Sequence, residues 1–303
     1  MRPAHRESQR LCVPTLGYPQ SGKTLWLIMF HELVRYGRAS TALAHLERMR
    51  SLTAGEEAEF DATIQEVLAH HEPAHTRMDP KNIPWPILFH FSNSAVFGPD
   101  SGLVNIFDFA GSTMYRDFEG TRLQERALNM DGFLYFLDPT RPETFESQNE
   151  ELRHFRDRIR AKTPVGQGLS APVAVCITKL DMLAKDVAGK GVFRTFVERL
   201  QQGPDASSPD NGSTVDQPPS LSRIRWRHDL FRDWRTTLFP GWEVEEQFSN
   251  LFGGRYMFFP MSSVGFLEPG EKDLAKRNYQ PFAIVEPILW LLHMSGFQTL
   301  REA

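Results

Sequence analysis

Gly17, Gly22, Lys23 and Thr24 stand in the run GYPQSGKT, with four residues between the glycines and a Lys-Thr pair directly after the second. That spacing suits a phosphate group. The two glycines let the backbone turn sharply and come close to a ligand. Successive N–H groups then point inward at the head of the next helix, where an anion is stabilised. The Lys23 ammonium would reach β- and γ-phosphates, and the Thr24 hydroxyl would take Mg²⁺. Pro19, Gln20 and Ser21 make the turn, and Leu25 follows in the helix. The alternative is a chance match. The placement of the run between an apolar strand-like stretch and an apolar helix-like stretch argues against chance.

Three further groups of residues follow in order. Asp108 and Gly111 end the run VNIFDFAG. A carboxylate at Asp108 can hold the water shell of Mg²⁺, and the Gly111 N–H can meet a γ-phosphate. Taken alone, Asp108 is equally an ordinary turn residue. Thr178, Lys179 and Asp181 close VCITKLD. The Asp181 carboxylate can accept from the N1 and N2 hydrogens of guanine, a donor pair that adenine lacks. Lys179 would lie along the base and brace the phosphate loop. The other reading is a Lys and an Asp capping the next helix. Ser262, Ser263 and Val264 end FFPMSSV, where backbone N–H groups could contact the guanine O6.

The elements that must position these residues alternate. RLCVPTLG reads as a strand, and KTLWLIMFHELVRYG as a helix closing at Gly37. TAGEEAEFDATIQEVLAHH opens with a capping box, Thr53 to Glu56, and Phe60, Ile64, Val67 and Leu68 keep helical spacing. Residues 73–84 hold three prolines and read as a loop. WPILFHFS and GLVNIFDFAG, joined by a turn-like stretch, predict an antiparallel hairpin. GFLYFLDPT and PVAVCITKLD are near-continuous apolar runs, the pattern of buried parallel strands. Residues 143–162 have helical character. RYMFFPMSS is another strand, and PFAIVEPILWLLHM a closing helix bent at Pro287. Residues 201–220, rich in Pro, Gly, Ser and Asp, predict a flexible loop inside the domain. This alternation predicts an α/β sheet covered on both faces, with ligands at the carboxyl ends of its strands.

Composition narrows the function classes. The 303 residues are 41% hydrophobic and 24% charged, with a net charge of −4. That balance gives no reason to expect nucleic acid or an anionic membrane as a partner of the whole surface. No apolar stretch approaches the roughly 18 residues of a membrane span. The two cysteines, Cys12 and Cys176, lie in apolar runs and predict buried free thiols in a reducing compartment, hence a cytoplasmic protein. RIRWRHDLFRDWR mixes arginines with aromatics. Leu230, Phe231, Trp234 and Leu238 fall at helical core spacing, so it reads as a packed amphipathic helix before a nucleic-acid surface. His70, His71 and His75 read as surface histidines, since adjacent helical positions diverge. Asp138 in FLDPT reads as a cap on the next segment.

Taken in order, GYPQSGKT, DFAG, TKLD and SSV resemble the signatures of Ras-like, translation-factor-class P-loop GTPases, over residues 10–295. FLDPT, the long segment after the phosphate loop, and EPILWLL are most similar to bacterial double-GTPase proteins, often encoded beside a second GTPase in multi-gene systems. The resemblance implies one P-loop GTPase-like domain over 1–303. Its fold would be three-layered, with a mostly parallel sheet, one antiparallel edge strand and a helical insertion at about 39–75. It implies bound GTP or GDP, Mg²⁺ held through Thr24, Thr76 and Asp108, and a protein partner: another GTPase, an activator or an effector. Thr76 would be the switch threonine, and Arg77 beside it a charge-stabilising arginine. The alternative for both is an ordinary solvated loop. In a switch of this kind, γ-phosphate contacts order the loops around Thr76 and Gly111, and hydrolysis releases them.

Two positions depart from the family pattern. Thr178 stands where the family has Asn, which weakens the expected guanine selectivity. Ser112 stands where Ras-like enzymes have a water-positioning Gln, so slow or partner-stimulated hydrolysis is expected. Two other classes stay open: a P-loop ATPase or kinase in which TKLD is structural, and a nucleotide-binding interaction module without useful hydrolysis.

Overall fold

The computed structural model describes residues 9–35, 46–49, 61–62, 64–65, 86–91, 102–109, 129–162, 171–185, 191–203, 220–266, 279–297 and 300. Thr76, Arg77, Gly111, Ser112, the Thr53–Glu56 cap, the three histidines near residue 70 and most of the 201–220 loop lie outside them.

Among the described residues the apolar runs, with one further short segment, form a seven-stranded sheet. Its strands are β1 (Gln9–Gly17), β2 (Leu46–Met49), β3 (Pro86–Phe91), β4 (Gly102–Asp108), β5 (Phe133–Leu137), β6 (Val173–Ile177) and β7 (Tyr256–Pro260), in the order β2-β3-β4-β1-β5-β6-β7. Every residue of β5 and β6 is buried, as strands covered on both faces require. Only β3 is reversed; it pairs antiparallel with β4, as the hairpin reading expects, and also with β2. Two expectations change here. The reversed strand is not at the edge, because β2 lies outside it. The segment at 39–75 is not wholly helical, because it supplies β2. Four residues are too few for a period to show, and the pairing groups left open on β3 draw them in. Residues 61, 62, 64 and 65 are helical, and Ile64 is buried.

Helices cover both faces. Side chains alternate along β5, so Phe133 and Tyr135 face one way and Phe136 the other. On the Phe136 side lie α1 (Lys23–Arg35) and, after the strands, the C-terminal helix (Glu286–Met294). Trp26 meets Phe136 edge-on at 5.3 Å and donates its indole N–H to the Ile284 carbonyl at 2.9 Å. Trp290 packs on Phe259 of β7. On the other side lies α2 (Phe145–Lys162), whose Phe155 touches Phe133 and Tyr135. Two short helices follow β6, α3 (Leu180–Lys185) and α4 (Gly191–Gln202). Next come α5 (Leu221–Leu238) and α6 (Val244–Phe252), which pack Phe231 on Phe258 and Phe248 on Tyr135. The C-terminal helix is α7. Helix, sheet and helix make three layers.

Two local readings are revised, and a third is borne out. Pro287 does not bend α7; the helix starts at Glu286, so the proline sits in its first turn, where a missing N–H costs nothing. Cys176 is buried, whereas Cys12 is partly exposed; both are free thiols. The packed-helix reading of residues 223–235 holds, with Phe231 and Leu238 buried and Leu230 and Trp234 partly so. Two of its arginines go inside as well. Arg227 pairs with Glu286 beneath the Phe282 ring, and Arg235 pairs with Glu245 and Glu246. No described helix is long and apolar enough to cross a membrane.

The connections create one special crevice. From β1 the chain leaves through α1 and returns to the sheet on the β4 side. From β5 it leaves through α2, over the opposite face, to β6. Adjacent strands whose connections diverge in this way open a crevice at their carboxyl ends, and ligands bind there.

Candidate phosphate and base site

Gly17 ends β1 at that crevice. Its φ is +124°, and an added Cβ would collide with the carbonyl oxygen of Phe136 on the neighbouring strand. Only glycine allows this approach. The chain then turns, with Ser21 N–H donating to the Tyr18 carbonyl at 3.2 Å. Gln20 and Gly22 also have positive φ, +65° and +88°. The Trp26 N–H to Gly22 carbonyl bond at 2.9 Å starts α1, so the N–H groups of its first turn precede any intrahelical acceptor.

The Lys23 side chain folds across the loop. Its Nζ donates to Gly17 O at 2.7 Å, Tyr18 O at 2.9 Å and Ser21 Oγ at 3.2 Å. Burial lowers its pKa, and the nearby charges of Glu151 and Asp108 oppose that shift. The loop's own oxygens thereby take up the ammonium's donors and hold it against the turn.

Strand register brings the next residue in. Thr15 of β1 is level with Asp108 of β4 and donates its hydroxyl to Asp108 Oδ1 at 2.9 Å. The Thr24 hydroxyl donates to Asp108 Oδ2 at 3.2 Å. The expected metal residues Thr24 and Asp108 therefore meet although they lie 84 positions apart. Among the described residues no three His, Cys, Asp or Glu side chains gather as a metal cluster. A hydroxyl and a carboxylate fit Mg²⁺ in another way: it favours hard oxygen ligands and keeps waters and phosphate oxygens for its remaining positions.

The end of β6 braces the loop. Thr178 packs against Gly22, and its hydroxyl lies 2.8 Å from Ser21 O and 3.0 Å from Leu137 O, with one proton to share. Lys179 takes φ +57° and turns the other way, where its Nζ meets Asp138 Oδ2 at 2.6 Å. The direct brace on the loop is thus Thr178, and Lys179 is tied to the segment after β5. Asp138 also accepts from the Thr140 N–H and hydroxyl, the local cap read from the sequence.

Asp181 opens α3 and is buried. The Ser262 hydroxyl, from the end of β7, donates to Asp181 Oδ1 at 2.6 Å and accepts from the Gly265 N–H at 2.9 Å. Ser262 and Phe282 exchange backbone bonds, and the Gln280 N–H donates to Val264 O at 3.3 Å, so Ser262, Ser263 and Val264 sit in a clamped turn.

Two residues at the site escape sequence reasoning. Arg141, four residues past the end of β5, donates through Nη1 to Gln20 Oε1 at 2.8 Å. Its only sequence signal is a place after a strand that borders the crevice. Glu151 of α2 is 1% exposed, and among the described residues neither of its oxygens has a hydrogen-bond partner. Burial raises its pKa, with the Lys23 charge opposing. The Tyr135 hydroxyl, whose pKa burial and the Glu151 charge both raise, is likewise unpartnered. The signal for Glu151 was a carboxylate beside the core stripe of Leu152, Phe155 and Ile159.

No protein-family model matches the chain, and no curated protein matches it.

Proposed function

We infer that this chain is a guanine-nucleotide-binding protein of the P-loop GTPase class, working with Mg²⁺ as a nucleotide-dependent switch and hydrolysing GTP slowly or under a partner's stimulation. One observation carries the reading. The Thr178 hydroxyl ties the strand end that presents Asp181 to the loop that carries Lys23, at 2.8 Å. A carboxylate suited to guanine and a cradle suited to phosphates are thereby held in one rigid unit.

In that unit each residue has a task. Lys23 exchanges the loop carbonyls for phosphate oxygens, and the N–H groups heading α1 add partial positive charge. Thr24 and Asp108 would hold Mg²⁺, which when bound neutralises charge on the phosphates. Ser262 fixes the Asp181 carboxylate, which accepts from guanine N1 and N2 hydrogens. Thr178 in place of Asn supports the loop but supplies no amide to the base. Ser112 in place of Gln is too short to orient water, which supports slow intrinsic turnover. A protein partner, such as a second GTPase, an activator or an effector, would complete the cycle.

The test is a competition titration with Mg²⁺, GTP, GDP and ATP, on the native chain and on Asp181→Asn. GTP and GDP are expected to bind and ATP not to compete. The variant is expected to lose GTP and gain xanthosine triphosphate, because Asn no longer accepts from both hydrogens. Equal competition by ATP with an unchanged variant would make Asp181 structural and the chain a P-loop protein of another class. A native chain that turned over GTP rapidly without a partner would overturn the slow-hydrolysis reading.

A further inference from the structure

We propose that Arg141 is a phosphate-contacting residue of this site and that Gln20 positions it; this rests on the reading of the loop as a nucleotide cradle.

The segment that carries Arg141 is locked. Asp138 is held by Thr140 and Lys179, and the Arg141 carbonyl accepts from both the N–H and the hydroxyl of Thr144, at 2.9 and 2.8 Å. The guanidinium therefore projects from a fixed turn after β5, on the far side of the crevice from the phosphate loop. It crosses the crevice to reach Gln20, 121 positions away in sequence.

Gln20 is the loop residue with φ +65°, a backbone state that is unfavourable for any side chain but glycine. The loop's own turn holds it there, and its amide oxygen points at Arg141. The acceptor is neutral, so this contact leaves the arginine's charge uncancelled. The other partner, Glu143, is two residues away and 66% exposed, and solvent screens such a pair heavily. Nη2 takes part in neither bond.

Charges around the crevice sort accordingly. Asp138 pairs with Lys179, and Asp108 is engaged by Thr15 and Thr24. Among the described residues Lys23, which also feels the charge of the buried Glu151, and Arg141 reach the loop as cations. A guanidinium offers a planar fork that matches two phosphate oxygens, which a lysine cannot do. Arg141 thus adds a second cation, from a different strand end, to the cradle formed by Lys23.

The test titrates guanosine, GMP, GDP and GTP, with Mg²⁺, against the native chain, Arg141→Ala and Gln20→Gly. Glycine accepts the loop's φ, so the second change removes the amide without straining the turn. Arg141→Ala is expected to weaken GDP and GTP by about 10- to 100-fold while guanosine changes less than about threefold. Gln20→Gly is expected to give a smaller loss with the same dependence on phosphate number. An equal loss for guanosine and GTP, or no loss for any of them, would overturn the proposal. A native chain that binds none of the four would overturn the site reading and this inference together. Native binding with an insensitive Arg141→Ala would overturn this inference alone.

Discussion

The Ser262 hydroxyl donates to the Asp181 carboxylate at 2.6 Å inside the protein, joining the ends of β6 and β7. The same oxygen accepts from Gly265 N–H, so one small side chain supports both a carboxylate and a turn. Ser262→Ala removes both bonds from the buried Asp181 carboxylate and the turn, at a cost of about 1–3 kcal/mol. GTP affinity should fall by at least about tenfold, with the melting temperature lowered. Calorimetric titration of the variant checks this, and an unchanged affinity would count against Ser262 as a support of base recognition.

Gly17→Ala should disable the loop. Its φ of +124° is closed to other residues, and the Cβ would run into Phe136 O. Relieving that collision moves β1 from β5, so a loss of more than about 2 kcal/mol is expected, along with nucleotide binding. Chemical denaturation and a binding assay on the same sample read both effects.

Asp108→Asn keeps a side chain that Thr15 and Thr24 can still hydrogen-bond, but it removes the charge. The fold should persist. The advantage that Mg²⁺ gives to GTP binding should shrink about tenfold, whereas binding in a chelator should change little. Equal losses with and without the metal would count against a metal role for Asp108.

Stability should depend on pH through His228. Burial is the main reason that its pKa is lowered from 6.5 to about 4. Its Nδ1 accepts from Phe258 N–H at 3.0 Å, and its ring stacks on Phe258. A proton therefore binds the unfolded chain more readily between those values. The stability present above pH 6.5 should be lost as pH falls toward 4, by at most about 3 kcal/mol. His228→Gln should flatten the profile in that window, as followed by denaturant midpoints from pH 4 to 7.

Trp26→Phe should cost about 1–3 kcal/mol. The indole N–H meets the buried Ile284 carbonyl at 2.9 Å, and phenylalanine would leave that oxygen without its donor. This bond anchors α1 to the turn before α7, so hydrogen exchange should rise in both elements.

Short-range patterns carried most of the architecture. β5 and β6 were legible as buried parallel strands because both faces need apolar side chains, and the turn at 17–22 was legible because its glycines answer a local demand for positive φ. The hairpin of β3 and β4 followed from two strand-like runs joined by a turn-like stretch. β2 was invisible because four residues show no period, and Pro287 was misread because the helix start, rather than the proline, sets its effect.

The residue types of the site and their place at strand ends could be read along the chain, since both are local properties. Their pairing could not. Thr24 meets Asp108, Asp181 meets Ser262, and Gln20 meets Arg141 because the sheet order sets β1 between β4 and β5 and β6 beside β7. The burial of Arg227 and Glu151 belongs to the same category, since a charged side chain enters a core according to what packs across from it. Hydrogen bonds act over about 3 Å, so partners some 80 or 120 positions apart are chosen by the assembled sheet rather than by their neighbours in the chain.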